Sequence, residues 1–276
     1  MKIILSADDF GSTHQMNLAT DYAMRNHLVC STALMMGSAF TQEAIDLACE
    51  GNYLEHVHCH LNLSANRCAG RHYVPLNENF KKSRFCKDGE FVKYNYYRPD
   101  YRKYVEVFFQ ELETQYLTFQ ELTKGQANYQ HLDFHLYANL SLPVAAAYDR
   151  LIQKYNIQSA RFFGAHQAEK KEPLILRGIH GAMMHHWKHS KAYKAKSSRI
   201  EYFLVKRNEF ERDELVELFV HLDYRDGVVI DKTASLFGNE KQPLEECIQR
   251  VQETGDVSFI SWASLNEAAD AVSKQQ

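Results

Sequence analysis

Short apolar runs of strand length alternate along this chain with segments of helical period, and that alternation restricts the fold more than any other feature. Residues 2–6, 28–35, 55–63, 129–135 and 158–163 predict strands, being apolar or β-branched and bounded by polar punctuation. Between them, residues 14–27 carry Met16, Ala19, Ala23 and Met24 at helical spacing, and 41–50 carry Ala44, Ile45 and Ala48 behind Thr41 as cap. Residues 101–124 predict a strong helix from Tyr104, Val105, Phe108, Phe109, Leu112, Tyr116 and Phe119, aromatics that read as core. Residues 141–155 predict another, with Pro143 tolerated in its first turn. Strands separated by helices favour a parallel sheet with right-handed crossovers. Further strands are expected at 199–205, 215–222 and 257–262, then a last helix at 264–272. The expected fold is α/β: a distorted or incomplete (β/α) barrel, TIM-barrel-like, as a single domain over residues 1–276. A doubly wound open sheet is the alternative.

The first strand ends in Ala7-Asp8-Asp9-Phe10-Gly11. Two adjacent carboxylates repel unless a cation or a proton lies between them, which suits one metal ligand beside one proton-transfer base. The plainer reading is a solvated pair capping the following helix, although Ser12 and Thr13 also offer a cap. A two-residue period then puts His58, His60 and Asn62 on one face of the third strand, and His131, Asp133 and His135 on one face of the fourth. Core packing explains paired histidines on a strand face poorly. In a barrel the working residues gather at the C-terminal strand ends, where Asp8, Asp9, His60, His135 and His221 all fall. One Asp and two His make a reasonable metal set with open positions. A second carboxylate can take a proton from the attacking water, and a separate His can protonate the leaving group. Such parts suit metal-assisted hydrolysis of an amide or ester.

Composition excludes other classes. Apolar residues make up 45% and charged ones 24%, with a net charge of −3, so neither nucleic acid nor a membrane surface is an expected partner. The N-terminal apolar run is too short for a signal peptide, no segment approaches the ~18 apolar residues of a membrane span, and six cysteines lack CxxC spacing. A cytoplasmic protein with reduced thiols is expected. Residues 64–98 form a long polar and aromatic connection, with Tyr94, Tyr96 and Tyr97, suited to a sugar-binding loop or an ordinary insertion. Residues 164–199 hold His180, His185, His186, His189 and several Lys. A basic helix with a solvated face is the default there, since His185 and His189 lack the intervening Glu of a zinc helix.

Three motifs, Ala7-Asp8-Asp9-Phe10-Gly11, His60-Leu61-Asn62-Leu63-Ser64 and His131-Leu132-Asp133-Phe134-His135, resemble in order those of the YdjC-like carbohydrate deacetylases. These include the chito-oligosaccharide deacetylases. Glu217-Leu218-Phe219-Val220-His221 resembles a fourth. The resemblance implies a distorted barrel that removes N-acetyl groups from amino sugars such as chito-oligosaccharides, free or phosphorylated. It implies one divalent metal on the residues matching Asp9, His60 and His135, Asp8 as general base, His221 as general acid and Arg161 orienting the base. Family association points to Mg²⁺, ligand type to Zn²⁺. The chain departs from the family pattern at His58, where a Gly is usual, at Tyr137 and Asn139 in place of histidines, and at Leu222-Asp223 in place of Pro-Gly. A non-catalytic metal- and carbohydrate-binding barrel, or a metal-dependent hydrolase of another amide or ester, are the competing readings. A homodimer is among the assemblies left open.

Overall fold

The computed structural model describes residues 1–63, 72–92, 101–136, 141–162, 174–232 and 242–265. It opens with β1 (Lys2–Phe10), α1 (His14–Arg25), β2 (Ser31–Met35), α2 (Thr41–Glu50) and β3 (Val57–Leu61). A short α3 (Glu78–Lys81) and a hairpin of β4 (Cys86–Lys87) and β5 (Glu90–Phe91) lead to α4 (Val105–Leu122). Then come β6 (Asn128–Phe134), α5 (Leu142–Lys154), β7 (Ser159–Ala160) and α6 (Leu174–Lys188). The chain continues through β8 (Lys196–Arg199), α7 (Ile200–Val205), β9 (Leu215–Val220) and a hairpin of β10 (Leu222–Arg225) and β11 (Val228–Asp231). It closes with α8 (Leu244–Glu253) and β12 (Ser258–Phe259).

The main sheet runs β7-β6-β3-β2-β1-β9-β8, every pairing parallel. β1 pairs with β9 from Lys2 to Ala7 on one edge; its other edge takes β12 at Lys2 and Ile3, then β2 from Ser6. Round the sheet from β1, the strands follow chain order (β1, β2, β3, β6, β7, then β8 and β9 back to β1) as in a barrel, and β7 and β8 form no ladder, so this is the incomplete barrel expected rather than a doubly wound sheet.

Strand alternation separates two environments. Ile3, Leu5, Ala7, Cys59, Leu61, Leu132, Phe134 and Leu218 join the large apolar cluster that includes the helices. Within it α4 buries Phe108, Phe109, Leu112, Tyr116 and Phe119, each contributing about 1.5–3 kcal/mol. The alternate positions face inward, where Ile4 packs with Trp262 but Ser6, Asp8, His58, His60, His131, Asp133 and Glu217 are polar and buried. Barrels usually fill that space with branched apolar side chains. Here it is filled by charge.

Several boundaries differ from the sequence expectation. Residues 199–205, expected as a strand, are mostly the helix α7: Ile200 and Phe203 are its buried positions, three apart, and the adjacent strand is Lys196–Arg199. β1 extends through the aspartates to Phe10, whereas β7 and β12 are two residues each. The last helix expected at 264–272 lies mainly outside the described residues. Within them no helix is long and apolar enough to cross a membrane.

Candidate metal and catalytic site

In a regular strand Asp8 and Asp9 would point to opposite faces. Both reach the barrel interior because β1 is irregular at that point. Its register against β2 shifts between Ala7 and Phe10, and Asp9 adopts φ 67°, a left-handed conformation that Asp tolerates better than most residues. Gly11, at φ 87°, completes the turn; a Cβ there would lie 3.1 Å from Leu34 Cδ1 and 3.2 Å from the Met35 carbonyl. Asn17 Oδ1 accepts from the Gly11 N–H at 2.7 Å, and Tyr73 donates its hydroxyl to Ser12 at 2.6 Å. Thr13, not the aspartate pair, caps α1 by accepting from the Met16 N–H.

The turn leaves Asp9 Oδ1 at 2.8 Å from His135 Nδ1 and 3.4 Å from His60 Nε2. All three residues are at most 3% exposed, and they form one of the clusters able to hold a metal ion. Burial alone would raise the Asp9 carboxyl, but His135 and His60 hold it well below the usual carboxylate range. His60 turns its Nδ1 to Asp133 Oδ1 at 2.5 Å, which leaves Nε2 facing Asp9. Burial disfavours an imidazolium at His60, yet Asp133 outweighs it and raises the group to about 10. Fixing one ring nitrogen with a carboxylate so that the other is presented to a metal is a recurrent arrangement.

Asp8 lies beside this trio and outside it. Its Oδ2 accepts from Arg161 Nη1 at 2.6 Å; its Oδ1 is buried without a hydrogen-bond partner. Arg161, just beyond β7, also donates to Glu217 through Nε (2.9 Å) and Nη2 (2.8 Å), and its Nη2 lies 3.1 Å from Asp133 Oδ2. Burial would lower the guanidinium, but Asp8 and Glu217 keep it charged. His58, His131, Asp133 and Glu217 make a second buried cluster deeper in the barrel. Arg161 already serves as its cation, so this cluster supports the upper site. His58 therefore does not crowd the mouth of the site: it turns down to Asp133 Oδ2 (3.1 Å) and packs edge-on to His131. His131 stacks on Trp262 with 3.8 Å between ring centroids.

His221 follows β9 directly, half-buried, with its backbone N–H donated to Asp231. Burial pushes its imidazole down to about 4, although Asp9 and Asp8 pull the other way. Asp8, Asp9, His60, His135, Arg161 and His221 are thus gathered at one end of the sheet. Sequence reasoning named Glu217 only as the head of the fourth motif, without a role, and did not single out Trp262 or Tyr73, whose ring lies edge-on to His135. Glu217 had a usable signal, a lone carboxylate inside an apolar strand. His185 and His189 are exposed on and just after α6, with His189 Nδ1 on the His185 carbonyl, and they join no central cluster. Tyr94, Tyr96, Tyr97, Tyr137 and Asn139 lie outside the described residues.

The donor set suits a divalent cation. The Nε2 atoms of His60 and His135 are buried without hydrogen bonds, a costly state that a ligated ion would relieve. Three buried carboxylates (Asp8, Asp133, Glu217) share one guanidinium, and a fourth, Asp9, faces His60 and His135, so buried acids outnumber the one permanent cation.

Carbohydrate deacetylase 2 of Listeria innocua is 32% identical over 158 residues, 57% of this chain and 59% of that protein. The carbohydrate deacetylase of Clostridium beijerinckii is 37% identical over 95 residues, 34% of this chain and 35% of that protein. These alignments span less than two thirds of either relative. The fold is shared with an Enterococcus faecalis protein described as a candidate for cellobiose-phosphate cleavage, at TM-score 0.65 and 17% identity over 96% of this chain and 98% of that one. The family model for YdjC-like proteins matches residues 2–254, and the chain belongs to that family.

Proposed function

We propose that this protein is a metal-dependent carbohydrate deacetylase that hydrolyses N-acetyl groups of amino sugars such as chito-oligosaccharides. One observation carries the reading: a buried carboxylate, Asp8, with one oxygen bonded and the other left over, stands next to the Asp9, His60, His135 set, and also lies within ligand reach of His60 and Asp133. The names of the relatives give the substrate class. A divalent ion on Asp9, His60 and His135 would supply Lewis acidity toward the acetamide carbonyl. Asp8 Oδ1 is the atom to receive the proton of the attacking water, while Arg161 on Oδ2 fixes the plane of the carboxylate. Asp133 holds the His60 tautomer that presents Nε2. His221, whose imidazole burial lowers to about 4, is the group to protonate the departing amine, so that the proton Asp8 removes from water ends on the amine.

Acetate release from a panel of acetylated chito-oligosaccharides, with Mg²⁺, Zn²⁺, Mn²⁺ or Co²⁺ added to stripped protein, tests the reading. Metal-dependent release is expected. Asp8→Asn is expected to lower kcat by about 10²-fold or more while metal content is kept. Wild-type turnover in that variant would remove Asp8 from the base role. The departures from the family pattern at His58, Tyr137, Asn139, Leu222 and Asp223 motivate a second reading, a barrel that binds metal and sugar without turnover. Sugar binding with no release under any metal would select it.

A further inference from the structure

We infer that Glu217 is a positioning residue of this site, acting on Asp8 through Arg161; the inference rests on the hydrolytic reading above. Glu217 lies in β9 next to β1 and is fully buried. Four donors converge on its two oxygens. Oε2 accepts from Arg161 Nε (2.9 Å) and Ser197 Oγ (2.9 Å); Oε1 accepts from Arg161 Nη2 (2.8 Å) and Trp262 Nε1 (3.1 Å). One edge of the guanidinium, Nε and Nη2, is therefore fixed in the carboxylate plane, and the remaining nitrogen, Nη1, is aimed at Asp8 Oδ2 at 2.6 Å. A bidentate arginine–carboxylate pair sets direction as well as distance, which a single charge contact does not.

The location explains why such a device is needed. Arg161 follows β7 at one edge of the open sheet, while Ser197 belongs to β8 at the other edge. Glu217 joins them across the interior, and Trp262 adds the segment after β12. The side chain that would orient the base thus approaches from the end of an edge strand, tied on its far side through the hydrogen bond from the Ala160 N–H to the Ala192 carbonyl (2.9 Å). Without Glu217, the guanidinium plane would be left to Asp8 itself, the contact with Asp133 and the Phe219 ring, whose centroid lies 4.9 Å from Arg161 Cζ. Stability alone is a weak reason for this network, because a buried ion pair is often replaced by apolar side chains without loss. Orientation is a sufficient one.

Glu217→Gln tests this. The amide nitrogen would confront one of the four donors, and the countercharge of Arg161 would be lost. We expect kcat to fall about 10²-fold, the consequence of a misplaced catalytic group, with KM and bound metal unchanged. Because the effect passes through Arg161, Arg161→Met and Arg161→Met/Glu217→Gln should have the same kcat. A double variant that loses the full product of both single effects overturns the proposal, as does a Glu217→Gln kcat equal to wild type. A crystal structure of Glu217→Gln gives a readout independent of turnover: Arg161 Nη1 should leave Asp8, and its retention at hydrogen-bond distance overturns the claim even if no substrate is ever found. Should the variant not fold, hydrogen exchange at Arg161 Nε–H in the wild-type protein decides. Slow exchange is expected from the Glu217 pairing, and exchange at the solvent rate overturns it. Absence of acetate release by the wild type would remove the functional reading while leaving these two structural outcomes to be decided.

Discussion

Asp9 combines the side chain proposed to hold a metal with a left-handed backbone, and the two demands can be separated by substitution. Asn tolerates φ near 67° almost as well as Asp, whereas Ala does not. Asp9→Asn should therefore fold with little loss of Tm yet bind metal far more weakly, and Asp9→Ala should lose metal and also about 1 kcal/mol or more of stability. Elemental analysis with thermal melts distinguishes the two. Equal metal content in Asp9→Asn and wild type would deny Asp9 a ligand role. At this scale the sequence was informative about which residues meet, because alternation alone puts His60 beside Asp133 and His135 on inward faces. It was silent on how neighbours Asp8 and Asp9 both turn inward. That depends on a bulge against β2, and a bulge is set by pairing between strands rather than by the residues that carry it.

The helix α4 shows what an element contributes beyond its apolar face. Its aromatic positions were legible from their spacing, but the same buried surface carries Glu111 and Gln115. Gln115 donates to the Asn62 carbonyl and accepts from the Asn62 N–H, fixing the chain two residues past His60. Glu111 accepts from the N–H groups of Leu76 and Asn77. Glu111→Ala would leave both amides without their acceptor, at a cost of about 1–3 kcal/mol each if no water replaces it. We expect a lower Tm and faster hydrogen exchange at Leu76 and Asn77. Unchanged exchange there would show that the segment is held by other means. The misreading of residues 199–205 belongs to this scale too. A short apolar run carries no decisive period, and only the burial of Ile200 and Phe203 against neighbouring elements makes it a helix.

Across the whole molecule, a barrel lined with ionisable groups in place of apolar ones makes stability depend on pH in two directions. Burial and the neighbouring His58 depress His131 to about 4, below its ordinary 6.5, so its contribution is complete above 6.5 and is lost as pH falls toward 4. Asp133 and Glu217 are likewise depressed, because His60 and Arg161 respectively outweigh their burial. Their contributions hold above the ordinary values of 3.8 and 4.5 and disappear on further acidification. His60 runs the other way. Raised to about 10, its contribution is complete below 6.5 and is lost as pH climbs through 10. Metal-free protein should therefore melt highest near neutrality, with Tm falling on both sides. A cation on Asp9, His60 and His135 competes with the extra proton on His60, so loading should release about one proton between pH 7 and 9. The rise in Tm on adding metal should then grow from pH 6 to pH 9 and nearly vanish at pH 5, since ligands that must shed protons bind less tightly in acid. Melting curves of stripped and loaded protein across that range check both limbs. A metal-induced shift that is largest in acid would mean that the ion is held elsewhere, and a flat metal-free profile between pH 4 and 7 would mean that the inner histidine is not buried in its neutral form.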